Sequence, residues 1–181
     1  MRNFLLTVAA LTAALTCCCQ NLELSDEGSS ITFKIKNFGL MVDGSFTGLA
    51  GTIVFNPNDL SNASLKAQIN ASSINTGIDM RDNHLKKEEF FDVNTFGTIR
   101  FASVKVEKVS DVKYTATGNL TIKKTTKEVK ISFTVQQITG GYIFKGAFPL
   151  NRRTYHVGGS SMTMADELNV QFTIKALGIK A

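Results

Sequence analysis

Alternation of apolar and polar residues with a period of two is the feature of this sequence that most restricts its fold. In residues 64–72 the apolar Leu65, Ala67 and Ile69 alternate with polar residues, and residues 168–176 repeat the pattern. A half-buried β-strand has this pattern because successive side chains point to opposite faces of the sheet. Both segments are therefore predicted to be strands with one face in an apolar interior.

Strand-type alternation recurs at short, regular spacing along most of the chain. The predicted strands, separated by turn signals, are residues 30–36, 42–55, 64–72, 99–106 with a bulge near Ser103, 112–123, 128–136, 142–152 and 168–176. Strands at this spacing without intervening helices predict an antiparallel sandwich or barrel. Glycines inside residues 42–55 favour the bends that let a sheet close. We therefore predict an all-β, eight-stranded antiparallel β-barrel.

Small residues at inward positions bear on whether such a barrel is filled. An eight-stranded barrel is just wide enough to be packed with side chains or to hold one small ligand. Ala67, Ala116, Gly118 and Gly146 fall on the inward faces of their strands. These residues leave space in the interior, so we favour a barrel that holds a ligand.

One polar segment, residues 79–89, interrupts the strands. Asp79 is a candidate helix N-cap, and Asp82 and Lys86 have the spacing of neighbours on a helix. We predict a short helical insertion that lies across one end of the barrel as a plug or lid. An ion pair between Asp82 and an arginine of the late loop, Arg153 or its neighbour Arg152, would hold it there.

The N-terminal residues 1–19 have the features of a signal peptide. A basic Arg2 precedes an apolar run that is too short to span a bilayer, and all three cysteines of the chain follow at positions 17–19. One interpretation is a secretory peptide that is removed with its cysteines. The other is a bacterial lipoprotein signal with Cys18 as the acylated residue. We predict residues 20–29 to be a polar leader and residues 30–181 to be the barrel domain of an exported, periplasmic or membrane-anchored bacterial protein.

Charge and reactive residues argue against several classes of function. The net charge of +5 comes with lysines spread over outward strand positions, which is typical of a solvated surface. The sequence has no arginine cluster with interleaved aromatic residues, so nothing in it indicates nucleic-acid binding. His84 and His156 are the only histidines, and neither belongs to a metal-binding spacing. We therefore predict a non-enzymatic protein without metal or cofactor.

Several motifs resemble those of the YceI-like family of exported lipid-binding proteins, and the resemblance extends from about Ser30 to Ala176. The most specific segments are ASSINTG at 71–77, RDNHL at 81–85, EFFD at 89–92 and IRFAS at 99–103, supported by GNLTI at 118–122, KEV at 127–129 and NRRTYHVG at 151–158. Two departures are the hairpin KKTTK at 123–127, where the family usually has a glycine before Thr-Lys, and Tyr155-His156 in place of an aromatic-glycine pair.

The resemblance implies an extended, lipocalin-like barrel that binds a polyisoprenoid or another long-chain lipid in an apolar tunnel. The candidate lining residues, taken from the inward positions, are Phe33, Ile35, Phe46, Ile69, Phe101, Leu120, Ile131, Phe133, Phe148, Val170 and Phe172. Burying about a dozen methylenes at ~0.8 kcal/mol each would give micromolar affinity without a polar anchor. Expected partners are therefore a lipid, a membrane tether through N-terminal lipidation and a second copy in a homodimer, with no nucleic acid.

Two other functions remain open at this point. A barrel enzyme acting on a lipid would need a titratable group that faces the tunnel, and Tyr114 is the one strand tyrosine with inward parity. A barrel filled with side chains would instead serve as a surface interaction module.

Overall fold

The computed structural model describes residues 20–178, which form a single 10-stranded antiparallel sheet and one short α-helix. The strands are β1 (Gln20–Leu24), β2 (Ser30–Asn37), β3 (Leu40–Phe46), β4 (Ala50–Phe55), β5 (Ser64–Asn70), β6 (Thr98–Lys108), β7 (Lys113–Ile122), β8 (Thr125–Ile138), β9 (Gly141–Asn151) and β10 (Met164–Gly178). The helix α1 is Asp79–Leu85, and 3₁₀ turns occur at Ala71–Ser73 and Arg152–Tyr155.

The sheet closes into a barrel. Its strand order is β1-β4-β5-β6-β7-β8-β9-β10, and β1 also pairs with β10, which completes a ring. The prediction of an eight-stranded antiparallel barrel with a short helical insertion is confirmed. The predicted bulge is present as well, since the pairing of β6 with β7 shifts register between Ser103 and Lys105.

The barrel wall contains two strands that are each broken into two pieces. β1 and β2 follow one another along the same edge of β10, which has 15 residues. β3 pairs with β2, and β4 pairs with β1, so the predicted strand 42–55 is interrupted between Phe46 and Ala50. The side chain of Asp26 accepts hydrogen bonds from the N–H groups of Gly48 and Leu49, both at 2.8 Å, and so holds the two bends together.

Residues 20–29 do not form the predicted polar leader. β1 lies within this segment, and the side chains of Leu22 and Leu24 are 0% and 4% exposed inside the barrel. The alternation of these leucines with Asn21 and Glu23 was present in the sequence but spans too few residues to stand out. The signal-peptide prediction and Cys18 lie outside the described residues.

The insertion, residues 71–97, connects β5 to β6 and contains α1. Asp79 is the first residue of the helix and not its cap, because the N-cap is Ile78, which makes no side-chain cap hydrogen bond. A carboxylate in the first turn still favours the helix through its interaction with the helix dipole.

The connections divide between two ends of the barrel because neighbouring strands are antiparallel. The insertion end carries the insertion, the turns at residues 38–39 and 123–124, and the connection 152–163. The base carries the connections 56–63, 109–112 and 139–140 and both ends of the described chain. At the base the ring of Phe55 meets those of Tyr114, Tyr142 and Phe144 edge-on, with centroids 5.2–5.5 Å apart, and closes the barrel.

Candidate functional site: a cavity inside the barrel

An apolar cavity of about 240 Å³ lies between the packed base and the insertion end. Its floor belongs to the core of the base, since Ile53, Ala116, Phe133 and Phe144 both pack there and line the cavity. Its walls are the inward faces of the strands. The barrel is therefore closed at one end by side-chain packing and hollow towards the other.

The structure brings all of the predicted lining residues to this one cavity. They are Phe33, Ile35, Phe46, Ile69, Phe101, Leu120, Ile131, Phe133, Phe148, Val170 and Phe172. The period-two pattern identified them because inward and outward positions alternate along each strand. It could not identify Leu85, Phe90 and Phe91, which reach the cavity from the insertion, where no strand parity applies.

Phenylalanine rings in the cavity wall lie over glycines. A Cβ placed on Gly118 would be 2.7 Å from Cζ of Phe101, and one on Gly146 would be 2.5 Å from Cζ of Phe172. The ring of Phe33 covers Gly44, its cross-strand partner, in the same way. The prediction that Gly118 and Gly146 leave empty space is therefore wrong in detail. The glycines instead let bulky rings lie against the backbone, so that the rings line the cavity without crossing it.

Contacts with the insertion cover the end of the cavity away from the base. The ring of Phe91 packs edge-on against Phe46, with centroids 5.6 Å apart. Gly158 donates its N–H to the Glu89 carbonyl at 2.8 Å, and Lys123 Nζ donates to the Glu88 carbonyl at 2.8 Å. Asn75 of the insertion also exchanges two backbone hydrogen bonds with Ser45 of β3, so the insertion is fastened to several separate parts of the barrel.

Arg81 brings a cationic group to the cavity lining. Its Nε donates to Oγ1 of Thr76 at 2.7 Å and its Nη2 donates to the Thr76 carbonyl at 2.8 Å. Thr76 in turn donates its N–H and its hydroxyl to the buried carboxylate of Asp82. This network orients the guanidinium by hydrogen bonds, with no ion pair to an acid within 4.0 Å among residues 20–178.

The predicted ion pair between Asp82 and Arg153 is wrong. Asp82 binds Thr76 inside its own loop, and Arg153 approaches Asp166 at 4.0 Å. The sequence could not reveal this, because the partner of Asp82 is a hydroxyl and an amide that only the folded loop brings close.

Arg152 organises the connection that follows β9. It is 3% exposed and donates to the carbonyls of Val157, Gly159, Met164 and Ala165, and its Nη2 pairs with Asp166 at 2.7 Å. Burial lowers the pKa of its guanidinium, and the nearby Asp166 partly offsets that effect. His156, which stands where the family usually has glycine, adopts a left-handed conformation with φ 56° beside this network.

The cavity lining among residues 20–178 contains no Asp, Glu, His, Cys, Ser, Tyr or Lys. Tyr114 points inward, as predicted, but it is buried in the base, where burial raises the pKa of its hydroxyl. No group of three or more His, Cys, Asp or Glu side chains in the described chain is arranged to hold a metal ion. Within the same residues, no helix has the length and hydrophobicity to cross a membrane.

Comparison with known proteins relates this barrel to a bacterial family. A UPF0312 protein of Pectobacterium atrosepticum is 34% identical over 130 residues, which cover 70% of this chain and 67% of that protein. Across the first curated relatives the match covers between 53% and 67% of their own length.

Two solved structures have the same fold. BcnA of Burkholderia cenocepacia superposes with a TM-score of 0.79 at 24% identity, covering 83% of this chain and 98% of that one. A polyisoprenoid binding domain from Saccharophagus degradans superposes with a TM-score of 0.71 at 14% identity, covering 87% and 98%. At these identities the likeness concerns the fold alone.

The family model described as the YceI-like domain matches residues 22–176, which is nearly all of the described barrel including β1. The resemblance seen in the sequence motifs is therefore confirmed, and the chain belongs to the YceI-like domain family.

Proposed function

We propose that the barrel binds a long-chain isoprenoid, a quinone or a fatty amphiphile in its cavity, and sequesters or transports it. The observation that carries this proposal is the apolar cavity, which is closed at the base and lined mainly by aliphatic and aromatic side chains. An apolar chain leaving water for such a lining gains ~0.8 kcal/mol per methylene.

The distribution of polar groups suggests how an amphiphile would be oriented. The floor is formed by aromatic and aliphatic residues, whereas Arg81 and Thr76 line the cavity from the insertion. A ligand would therefore place its apolar chain towards the base and its polar head at the insertion end. The Saccharophagus domain of the same fold, described as polyisoprenoid-binding, supports this class of ligand.

The character of the lining favours binding over catalysis. General acid–base or nucleophilic catalysis needs a titratable or nucleophilic side chain next to the substrate. Arginines are the only ionisable residues in the described lining, and they stay charged. The cavity also weighs against a filled interaction module, because it is present between the base and the insertion.

Mass spectrometry of an organic extract tests the proposal. Protein purified without detergent should release one class of long-chain lipid in near-stoichiometric amount, and native mass spectrometry should show the same mass on the folded protein. A variant with a filled cavity, Ala116→Phe, serves as a control and should carry less lipid, provided that its circular dichroism shows a native barrel. An empty protein that also fails to take up added isoprenoids or fatty acids would contradict the proposal.

We also propose that the protein is exported and that residues 1–19 direct export, with Cys18 as the acylated residue. Palmitate labelling of the expressing cells should mark the full chain, and Cys18→Ser should abolish the label while Cys17→Ser and Cys19→Ser retain it. If the label survives Cys18→Ser, a different residue is acylated. If the parent chain is secreted without label, the first 19 residues act instead as a removable signal peptide.

A further inference from the structure

Large apolar side chains are exposed at the insertion end. They form an apolar rim, defined as Phe38, Leu40, Met41, Ile78, Met80 and Met162, with exposures between 53% and 103%. Exposed apolar residues are ordinary when scattered singly, whereas a cluster indicates an interaction surface. These residues come from three separate segments, namely the β2–β3 hairpin, the start of the insertion and the connection after β9.

The rim lies at the insertion end of the cavity. Each rim residue lies within two positions of a lining residue: Phe38 follows Asn37, Met80 precedes Arg81, and Met162 lies two before Met164. A hydrogen bond of 2.9 Å from the Phe38 N–H to the Thr163 carbonyl joins the hairpin to the connection. The exposed apolar residues of the base, by contrast, include Val109 and Val112, and neither is within two positions of the lining.

Phe38 provides a second, independent observation. It has φ 49°, in the left-handed region, and is 75% exposed at the tip of the hairpin. A bulky side chain is disfavoured in this conformation, where glycine or asparagine fits without strain. Neither folding stability nor solubility explains a phenylalanine at this position. We therefore expect its side chain to contact something outside the chain.

We propose that the apolar rim inserts into the interface of a lipid bilayer and holds the insertion end of the barrel against the membrane. A long-chain ligand could then pass between bilayer and cavity without crossing water, where every exposed methylene raises the barrier. Lys36 is the exposed cross-strand neighbour of Met41, so a cation lies beside the hairpin part of the rim, as at surfaces that bind anionic head groups. At Met80 the charges of its two neighbours, Asp79 and Arg81, offset each other.

The cargo in this inference rests on the proposed function, but docking can be tested separately. An acyl chain on Cys18 would attach two residues before β1, at the base, so the rim at the other end of the barrel would dock onto a different bilayer. The full chain with Cys17, Cys18 and Cys19 changed to serine therefore removes any acyl anchor from the test. Its binding to vesicles of equal parts phosphatidylcholine and phosphatidylglycerol is measured by flotation. The rim variant Met80→Ser/Met162→Ser is compared with the base variant Val109→Ser/Val112→Ser, because all four side chains are more than half exposed and their loss should not disturb the core.

We expect the unaltered rim to bind vesicles, the rim variant to bind about tenfold or more weakly, and the base variant to bind like the parent. Transfer of cis-parinaric acid from vesicles should slow in the rim variant, while equilibrium binding of the same probe in vesicle-free solution stays the same.

Absence of vesicle binding by the parent, or equal binding by both variants, would overturn the inference. A dimer that dissociates only in the rim variant would assign the rim to a second copy of the chain and also overturn it. Failure of the probe to bind in solution would instead count against the proposed function.

Discussion

The base and the cavity wall use the same aromatic residue in two different ways. In the base, the ring of Phe55 packs against the rings of Tyr114, Tyr142 and Phe144, and 1% of its surface is exposed. In the wall, the rings of Phe101 and Phe172 lie over Gly118 and Gly146. Rings packed edge-on against one another fill the base, whereas rings laid over glycine line a cavity.

This difference shows that residue content alone does not decide whether a small barrel is filled. Both regions are rich in phenylalanine, and what distinguishes the wall is that its rings lie over glycines. Phe172 pairs directly with Gly146, and Phe33 pairs with Gly44. A glycine in that position has no side chain to push the ring towards the barrel axis.

Truncation of the base should have the largest effect on stability. Phe55→Ala removes a fully buried ring from contact with three others, and we expect the free energy of unfolding to fall by about 3–5 kcal/mol. Phe172→Ala, the matched change in the wall, should cost about 1–2 kcal/mol, because one side of that ring already faces the cavity. Urea denaturation of both variants measures the difference. Equal losses would mean that the wall is packed as tightly as the base.

The way the insertion is held provides the next test, since this end combines hydrogen bonds with a second, smaller apolar cluster, in which Phe90 and Phe91 of the insertion pack against buried residues of β7 and of the connection after β9. Asp82→Ala removes the acceptor of two hydrogen bonds from Thr76 and leaves a part-buried N–H without its partner. We expect a loss of about 2 kcal/mol, a lower Tm and faster ligand release. Asp79→Ala in the same helix is the control, because its carboxylate is exposed and should contribute a few tenths of a kcal/mol. An unchanged Tm in Asp82→Ala would show that the Thr76 network does not hold the insertion.

Gly44→Ala tests the arrangement of rings on glycine directly. The atoms nearest to an added Cβ all belong to the ring of Phe33 and none to the backbone, so the ring must move towards the cavity. We expect the affinity for cis-parinaric acid to fall by about fivefold, which corresponds to about 1 kcal/mol. Adding Phe33→Leu should restore binding, because the smaller side chain can clear the new methyl group. Equal affinities of Gly44→Ala and the parent would mean that the ring does not limit the space for a ligand.

Most of the fold could be predicted from the sequence, because strand parity is a local property. The alternation of Leu168, Val170 and Phe172 identifies both the strand and its inward face. The same parity places Phe133 in the lining, although it cannot tell that Phe133 forms the floor. The break within residues 42–55 is not predicted, because the bend depends on Asp26 reaching the amides of Gly48 and Leu49. β1 is not predicted because its alternation spans only five residues.

The polar part of the site could not be predicted, because its hydrogen-bond partners are brought together only when the loops fold. Arg152 binds four backbone carbonyls, and because every residue has a carbonyl, the sequence does not identify which ones accept. Asp82 was expected to pair with an arginine across the barrel and instead binds Thr76. Similarly, the pairing of glycine with phenylalanine is a matter of register between strands, which a single sequence does not specify.

The smallest expected effect concerns the one cationic group that the insertion contributes to the cavity. Arg81→Gln keeps a hydrogen-bond donor but removes the charge, and the packed base offers no charge in its place. For ligands of equal chain length, we expect oleate to lose about threefold to tenfold in affinity and oleyl alcohol to change little. The guanidinium is partly exposed, so solvent and salt weaken its attraction to a carboxylate well below that of a buried pair. Competition with cis-parinaric acid at low and high salt measures both ligands, and Lys87→Gln, an exposed charge of the same insertion, is the control. If Arg81→Gln and Lys87→Gln weaken oleate equally, the effect comes from net charge, and the head of the ligand does not contact Arg81.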